Sequence, residues 1–386
     1  MTELQWLFAI LAGLYACECL GWIRRGSVAF SSMTGRRWRV QHPTSAIGNH
    51  RGGLVLAMPL PPLGGLVVAN QLPFSLGPDG VLFFVAMNMN PGWRPAQSGR
   101  FLAWEEIVKL RLDGKRLLLG REKIHAATTT TLASHLLQLL SMLAKLGSEQ
   151  RGPAIKQMLR EALDTKRIAT LAVNLRARMK HIRLLANILF VHVFVVAPVL
   201  ITLVGIQVTW LGLVIVMFAL TLSIATLFHR AHREFYPKAT DDRFTHTLTT
   251  GLAVATSLRA HDILSRPMLE TFHPIAVAKV LLEENRFRAF ARNLLLDLRH
   301  PMLPSCPNAH PPAAFTENYF RRATLEITEA WLEENGVVCH DLCRAPVPLD
   351  RTCHAYCPRC ESQFMSAESC CSDCGGIELM IFQPQR

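Results

Sequence analysis

The chain has 386 residues, half of them hydrophobic and only 18% charged. That is room for two or three domains, and a positive mean hydropathy argues against an ordinary soluble protein. A net charge of +12 and a pI near 9.4 turn attention to nucleic acid or an anionic lipid surface, and the placement of the charge decides between them.

Residues 4–22 (LQWLFAILAGLYACECLGW) read as a first membrane span, interrupted by Glu18 and bracketed by Trp6 and Trp22 as an aromatic belt would be. A secretory signal wants a positive start, and the only charge ahead of this run is Glu3. Tyr15 fits poorly in a lipoprotein cleavage box before Cys17. Residues 1–25 are therefore expected to form an uncleaved transmembrane anchor.

Residues 30–147 read as a small α+β domain. A stiff, turning stretch at 58–65 precedes strand-like runs at 81–87, 101–112 and 116–119. Pro78-Asp79-Gly80 and Asp113-Gly114-Lys115 supply turns, the second suited to a tight hairpin. A helix follows at 131–146, with Leu132, Leu136, Leu139, Leu140 and Leu143 on one stripe. Short strands closed by one helix, with Trp104-Glu105-Glu106-Ile107 entering the last hairpin, make this third of the chain resemble bacterial pleckstrin-homology-type domains. The resemblance implies a small barrel serving assembly close to a membrane.

Residues 151–183 form a basic helical segment, with nine Lys and Arg against Glu161 and Asp164. It runs into 184–228, a stretch without Asp, Glu, Lys or Arg that is long enough for two spans of about 20 residues each. Gly205-Ile206-Gln207 is the expected turn of this hairpin, and Pro198 an expected kink. Arg24, Arg25, Arg36, Arg37 and Arg39 follow the first span. Arg176, Arg178, Lys180 and Arg183 precede the second, and Arg230, Arg233 and Lys238 follow the third. The positive-inside bias then places the N-terminus outside and both large parts, with the C-terminus, in the cytosol, in a multi-pass protein of the inner (plasma) membrane. The 151–183 segment would lie near anionic headgroups.

Residues 240–336 read as a helical region. The apolar, Thr-rich run 248–258 is too short to span. A helix is expected over 275–299 behind Pro274. A second is expected from an N-cap at Thr316 to Glu334, stopped by Gly336.

The last part, 337–386, carries the chemistry. Cys357-Pro358-Arg359-Cys360 and Cys371-Ser372-Asp373-Cys374-Gly375-Gly376 are two CxxC turns, each offering two thiolates to one tetrahedral ion. These residues resemble the paired knuckles of zinc ribbons and rubredoxin-like modules. The resemblance implies that Cys357, Cys360, Cys371 and Cys374 hold a structural Zn²⁺; iron would use the same sulfurs. Four thiolates leave no open position for a substrate or water, so catalysis at this ion is not expected. Cys339, His340, Cys343, Cys353 and His354 offer a second, looser ligand set, and Cys370 reads as a spectator. Residues 357–386 hold two Arg against four carboxylates, so nucleic acid is an unlikely partner and a protein partner is favoured.

An intramembrane His192 and a cluster of His229, His232 and Glu234 at the inner membrane face are the positions where an enzyme would have its site. His229-Arg-Ala-His232 lacks the HExxH order, and no phosphate-cradling or nucleophile-elbow motif occurs. The expected protein is a multi-domain integral membrane protein with three transmembrane helices, a small α+β domain, a helical region and a C-terminal zinc ribbon. Its expected role is that of a membrane-anchored scaffold recruiting partners. The alternatives are a membrane-bound enzyme using the histidines, or a membrane-tethered nucleic-acid binder using 151–183.

Overall fold

A computed structural model of the chain describes strand residues 28–31, 37–40, 54–60 and 64–68. It also describes 74–84, 99–126, 130–237, 239–258, 263–264, 271–281, 284–300, 311–366, 370–371, 374, 376–382 and the single positions 6 and 260. The expected first span at 4–22 lies outside the described residues, Trp6 apart.

The chain is mostly helical, with small antiparallel sheets. Strands β1 (Val28–Ser31) and β2 (Arg37–Val40) form one hairpin, and β3 (Leu54–Leu60) and β4 (Gly64–Val68) another. Three strands, β5 (Phe74–Leu76), β6 (Gly80–Phe84) and β7 (Gly99–Ala103), then form a meander. The turn at 77–80 is closed by Gly77 N–H donating to Gly80 O at 2.9 Å.

The strand expected over 101–112 is broken by a helical turn, α1 (Trp104–Ile107). The physical reason is periodicity. Trp104 and Ile107 are both buried, and residues three apart share a face on a helix but not on a strand. The Glu106 carboxylate accepts from Ala103 N–H at 3.1 Å and fixes the start of the turn. The indole of Trp104 donates to Gly77 O at 3.1 Å, and the Arg151 guanidinium lies 5.3 Å from its ring centroid.

A second meander follows, β8 (Leu110–Asp113), β9 (Arg116–Leu119) and β10 (Glu122–Ala126), with Asp113 paired to Arg116 across the expected two-residue turn. Helix α2 (Thr130–Ala144) buries Ala133, Leu136, Leu140 and Leu143.

The basic segment is two helices, α3 (Ser148–Glu161) and α4 (Thr165–Val191). Asp164 starts the second by accepting from Arg167 N–H at 3.0 Å. A single helix thus carries the chain from the basic stretch into the apolar run. At Pro198 the expected distortion takes the form of a π-helical stretch, His192–Val196, ahead of α5 (Ala197–Val204). Proline has no N–H and its ring crowds the carbonyl four residues back, so widening the preceding turn relieves the clash. Ala197 N–H reaches back five residues to His192 O.

Gly205, at φ +93° and ψ 152°, separates α5 from α6 (Ile206–Phe235), a backbone conformation open to glycine. The two arms run antiparallel. His192 Nε2–H donates to Leu213 O at 3.0 Å, and Arg178 pairs with Glu234 at 2.8 Å. Ala177–Val204 and Gln207–Phe235 are each long and apolar enough to cross a membrane. Val208, Leu211, Ile215, Phe218 and Leu222 point outward from α6. Thr202, Thr209, Ser223 and Thr226 each donate to the carbonyl four residues back, at 2.7–2.9 Å, so these hydroxyls need no water.

Beyond the hairpin come α7 (Thr240–Leu252), α8 (Val254–Leu258), α9 (Pro274–Leu281), α10 (Glu284–Arg299), α11 (Pro311–Glu334) and α12 (Cys339–Leu342). The helix expected to begin at Thr316 begins at Pro311, because Pro311-Pro312 suits a first turn. Thr316 is therefore interior rather than a cap. It is fully buried and packs on Gly77, where an added Cβ would meet its Oγ1 at 3.0 Å.

One hydrophobic core gathers Phe83 and Leu117 of the sheets, Trp104 of α1, Leu140 of α2, Ile155 of α3, Ile275 of α9, Phe287 of α10 and Phe320 of α11. Its members come from before and after the hairpin, so both regions lie at the same end of the α4–α6 pair. A second core, with Met179, Leu189, Ile224 and Phe228, binds the arms of the hairpin together.

Candidate metal centre

The C-terminal part is built from two-residue strands. β11 (Ala355–Tyr356) lies between β12 (Gln363–Phe364) and β15 (Met380–Ile381), while β13 (Cys370–Cys371) pairs with β14 (Ile377–Glu378). Each CxxC turn grows out of one of these strands. In the first, Cys357 N–H donates to Ser362 O and Glu361 N–H to Cys357 O, both at 2.9 Å. In the second, Gly376 N–H donates to Cys371 O at 2.9 Å.

The four sulfurs of Cys357, Cys360, Cys371 and Cys374 all lie within 4.8 Å of one another. A tetrahedral site with Zn–S bonds of about 2.3 Å needs neighbouring sulfurs about 3.8 Å apart. The Cys360–Cys371 separation is 3.6 Å. The donor set therefore fits a four-coordinate thiophilic ion. Cys357, Cys371 and Cys374 are buried and Cys360 is exposed. Phe364, Ile377 and Leu379 pack against the cluster.

Crowding four thiols makes their protonation interdependent. Hydrogen bonding to Cys360, followed by burial, pushes the Cys357 thiol up. Burial, then the Cys360 sulfur, takes Cys374 up to about 12. Cys360, bonded to the Cys357 thiol and 3.2 Å from Ser362 Oγ, is held down at about 4. A bound cation would replace the protons that the raised Cys357 and Cys374 thiols otherwise keep.

The second proposed ligand set does not assemble. Among the described residues the ligand-bearing side chains converge at the four-sulfur cluster alone. Cys339 is buried against α11, its thiol 3.8 Å from Glu329 O, and burial raises it to about 11. The His340 side chain is 90% exposed. Cys370 is exposed on β13, beside the cluster and outside it.

Among the described residues His229, His232 and Glu234 form no group that could hold an ion, and His232 instead meets His246 of α7, ring centroids 6.4 Å apart. His229 is exposed and lies 3.3 Å from Thr247 Oγ1. His232 is buried between Phe228 and Tyr236, and Glu234 is taken by Arg178.

Two residues important to the ribbon escape the motif. Glu361, directly after the first CxxC, stands at φ +63°, the one non-glycine position of positive φ among the described residues. Its carboxylate bonds the Arg292 guanidinium of α10, which also donates to Leu342 O at 2.9 Å and Arg344 O at 3.0 Å. The clue was the missing glycine: the second CxxC is followed by Gly375-Gly376 and the first by Glu361.

No protein-family model, curated protein or solved structure matches the chain.

Proposed function

We propose that the chain is a multi-pass protein of the cytoplasmic membrane that holds a structural Zn²⁺ in a C-terminal ribbon and uses that ribbon to recruit a protein partner. The observation that carries the reading is the closed cluster of four sulfurs, which has the donors for an ion and no place for a reactant. The acidic balance of 357–386 favours a protein surface over nucleic acid.

The membrane part of the reading rests on the hairpin of α4, α5 and α6 and on the charge around it. No charged residue lies between Arg183 and Arg230, and exposed Trp210 sits near the Gly205 end, where an outer interfacial belt would be. With 4–22 as a further span the N-terminus is outside, and the sheets, helices and ribbon are cytosolic. The shared core before and after the hairpin is what a two-span connection requires, since it returns the chain to the side it left.

The test is purification of the full chain in detergent. Metal analysis should give one zinc per chain, and a tagged protein should retain its partner only when 337–386 is present. Metal-free protein, or alkaline extraction of the chain from membranes, would overturn the reading.

A further inference from the structure

We infer that α7 is a lipid-contacting helix that sets the C-terminal end of its apolar stripe into the inner leaflet and so seats the sheet domain against the membrane. The inference rests on the membrane reading of the hairpin and goes beyond it.

Helix α6 has 30 residues and is about 45 Å long, whereas about 20 residues cross the hydrocarbon layer. Counted from Ile206 at the outer turn, the layer ends near Ala225, and the last turns of α6 stand beyond it. Helix α7 folds back along those turns in the opposite direction. His246 packs on Phe228 and His232, Thr247 meets His229, and a Cβ at Gly251 would lie 3.5 Å from that of Ala225. The C-terminal end of α7 thus reaches the edge of the hydrocarbon.

Phe244, Leu248 and Leu252 recur every four residues on the side of α7 turned away from α6, and are 70%, 49% and 68% exposed. By the same alignment Leu252 stands level with the end of the layer, and Leu248 and Phe244 one and two turns above it. The stripe therefore continues the outward apolar face of α6, where Phe218 and Leu222 are exposed. Arg230 and Arg233 are exposed at the same height, where headgroup phosphates lie. A lipid surface matches this combination of apolar and basic side chains.

The other end of α7 is fixed to the sheet domain. Asp242, 2% exposed, accepts from Thr130 N–H at 2.6 Å and pairs with Lys115 Nζ at 3.0 Å. Lys115 lies in the turn of the β8–β9 hairpin, and Thr130 opens α2. A helix held to the domain at its N-terminal end and to the leaflet at its C-terminal end sets the distance and tilt of that domain at the membrane.

The test is photocrosslinking of the purified full chain in phosphatidylcholine vesicles with radiolabelled acyl chains. The photoreactive residue p-benzoylphenylalanine is placed singly at Leu211, Leu248, Leu252 or His340. Lipid adducts are expected at Leu211, Leu248 and Leu252 and not at His340. An adduct at Leu211 with none at Leu248 and Leu252 overturns the inference and leaves the hairpin reading standing. Covalent dimers through Leu248 overturn it in favour of a contact between copies of the chain. Absence of lipid adducts at Leu211 as well overturns the hairpin reading and this inference with it.

Discussion

Arg292 of α10 grips the carboxylate of Glu361, the residue that closes the first CxxC turn of the ribbon. The four-sulfur cluster and the helical region are joined through this pair. Because Arg292 also holds the carbonyls of Leu342 and Arg344, one side chain fixes both the ribbon and the segment leading to it. Charge-assisted hydrogen bonds of partly buried groups are worth about 1.5–3 kcal/mol. Arg292→Ala should therefore free the ribbon from α10 while leaving the sulfurs in place. Hydrogen exchange should rise over 344–364 with zinc content unchanged. Glu361→Gly separates the two roles of that residue: it relieves the positive φ, a gain of about 1 kcal/mol, while removing the ion pair. Docking should loosen and metal retention should hold or improve.

The cluster itself makes a sharper claim. Cys357→Ser, Cys360→Ser, Cys371→Ser and Cys374→Ser should each abolish stoichiometric zinc, whereas Cys370→Ser should retain it, because Cys370 is exposed outside the cluster. Chelation should unfold the ribbon, since strands of two residues cannot hold together without the ion. Zinc analysis and near-UV circular dichroism of the full chain read both effects. Visible thiolate-to-iron absorbance in protein made in iron-rich medium would identify the other metal.

The ribbon was legible because its chemistry is local: two CxxC turns ten residues apart bring four donors together whatever the rest of the chain does. The hairpin was legible for a similar reason, since an uncharged run of that length has few uses. The 101–112 stretch is not a single strand because Trp104 and Ile107 both face the core, and a helical turn buries both where a strand would not. Thr316 is a good capping residue that does not cap, because the two prolines ahead of it start the helix earlier. The shared core was not legible at all. The flanking charge puts the two large parts on one side, but that Phe83 and Phe287 are members of one core depends on packing between segments about 200 residues apart, which no local pattern encodes.

Thr316 offers a test of that core. Its hydroxyl is fully buried against Gly77 and has no hydrogen-bond partner among the described residues. An unsatisfied buried hydroxyl costs about 1–3 kcal/mol, and valine has nearly the same shape. Thr316→Val should stabilise the protein by about 1 kcal/mol or more. Thr316→Ser should not, because it keeps the hydroxyl and deletes a methyl. Thermal unfolding of the detergent-solubilised protein distinguishes them.

Two core-facing histidines predict how the protein responds to acid. Burial takes His273 down to about 4, and burial followed by nearby Lys123 takes His125 down to about 4. His273 Nδ1 accepts from Ile275 N–H at 3.4 Å at the start of α9, a bond open only to the unprotonated nitrogen. His125 stacks on Phe83 with ring centroids 6.2 Å apart. Both are neutral in the fold and both take up protons near pH 6.5 when it opens, so the unfolded state binds more protons between those values. Their contribution is fully present above about pH 6.5, declines as the pH falls, and is exhausted below about pH 4. Each shift is worth on the order of 3 kcal/mol. Stability should thus fall steeply between about pH 6.5 and pH 4. His273→Gln and His125→Gln should each flatten that slope, by about one proton's worth, while lowering stability at neutral pH by less than the slope they remove. Melting curves across this pH range check the prediction, and a slope unchanged in both variants would place the acid-sensitive groups elsewhere.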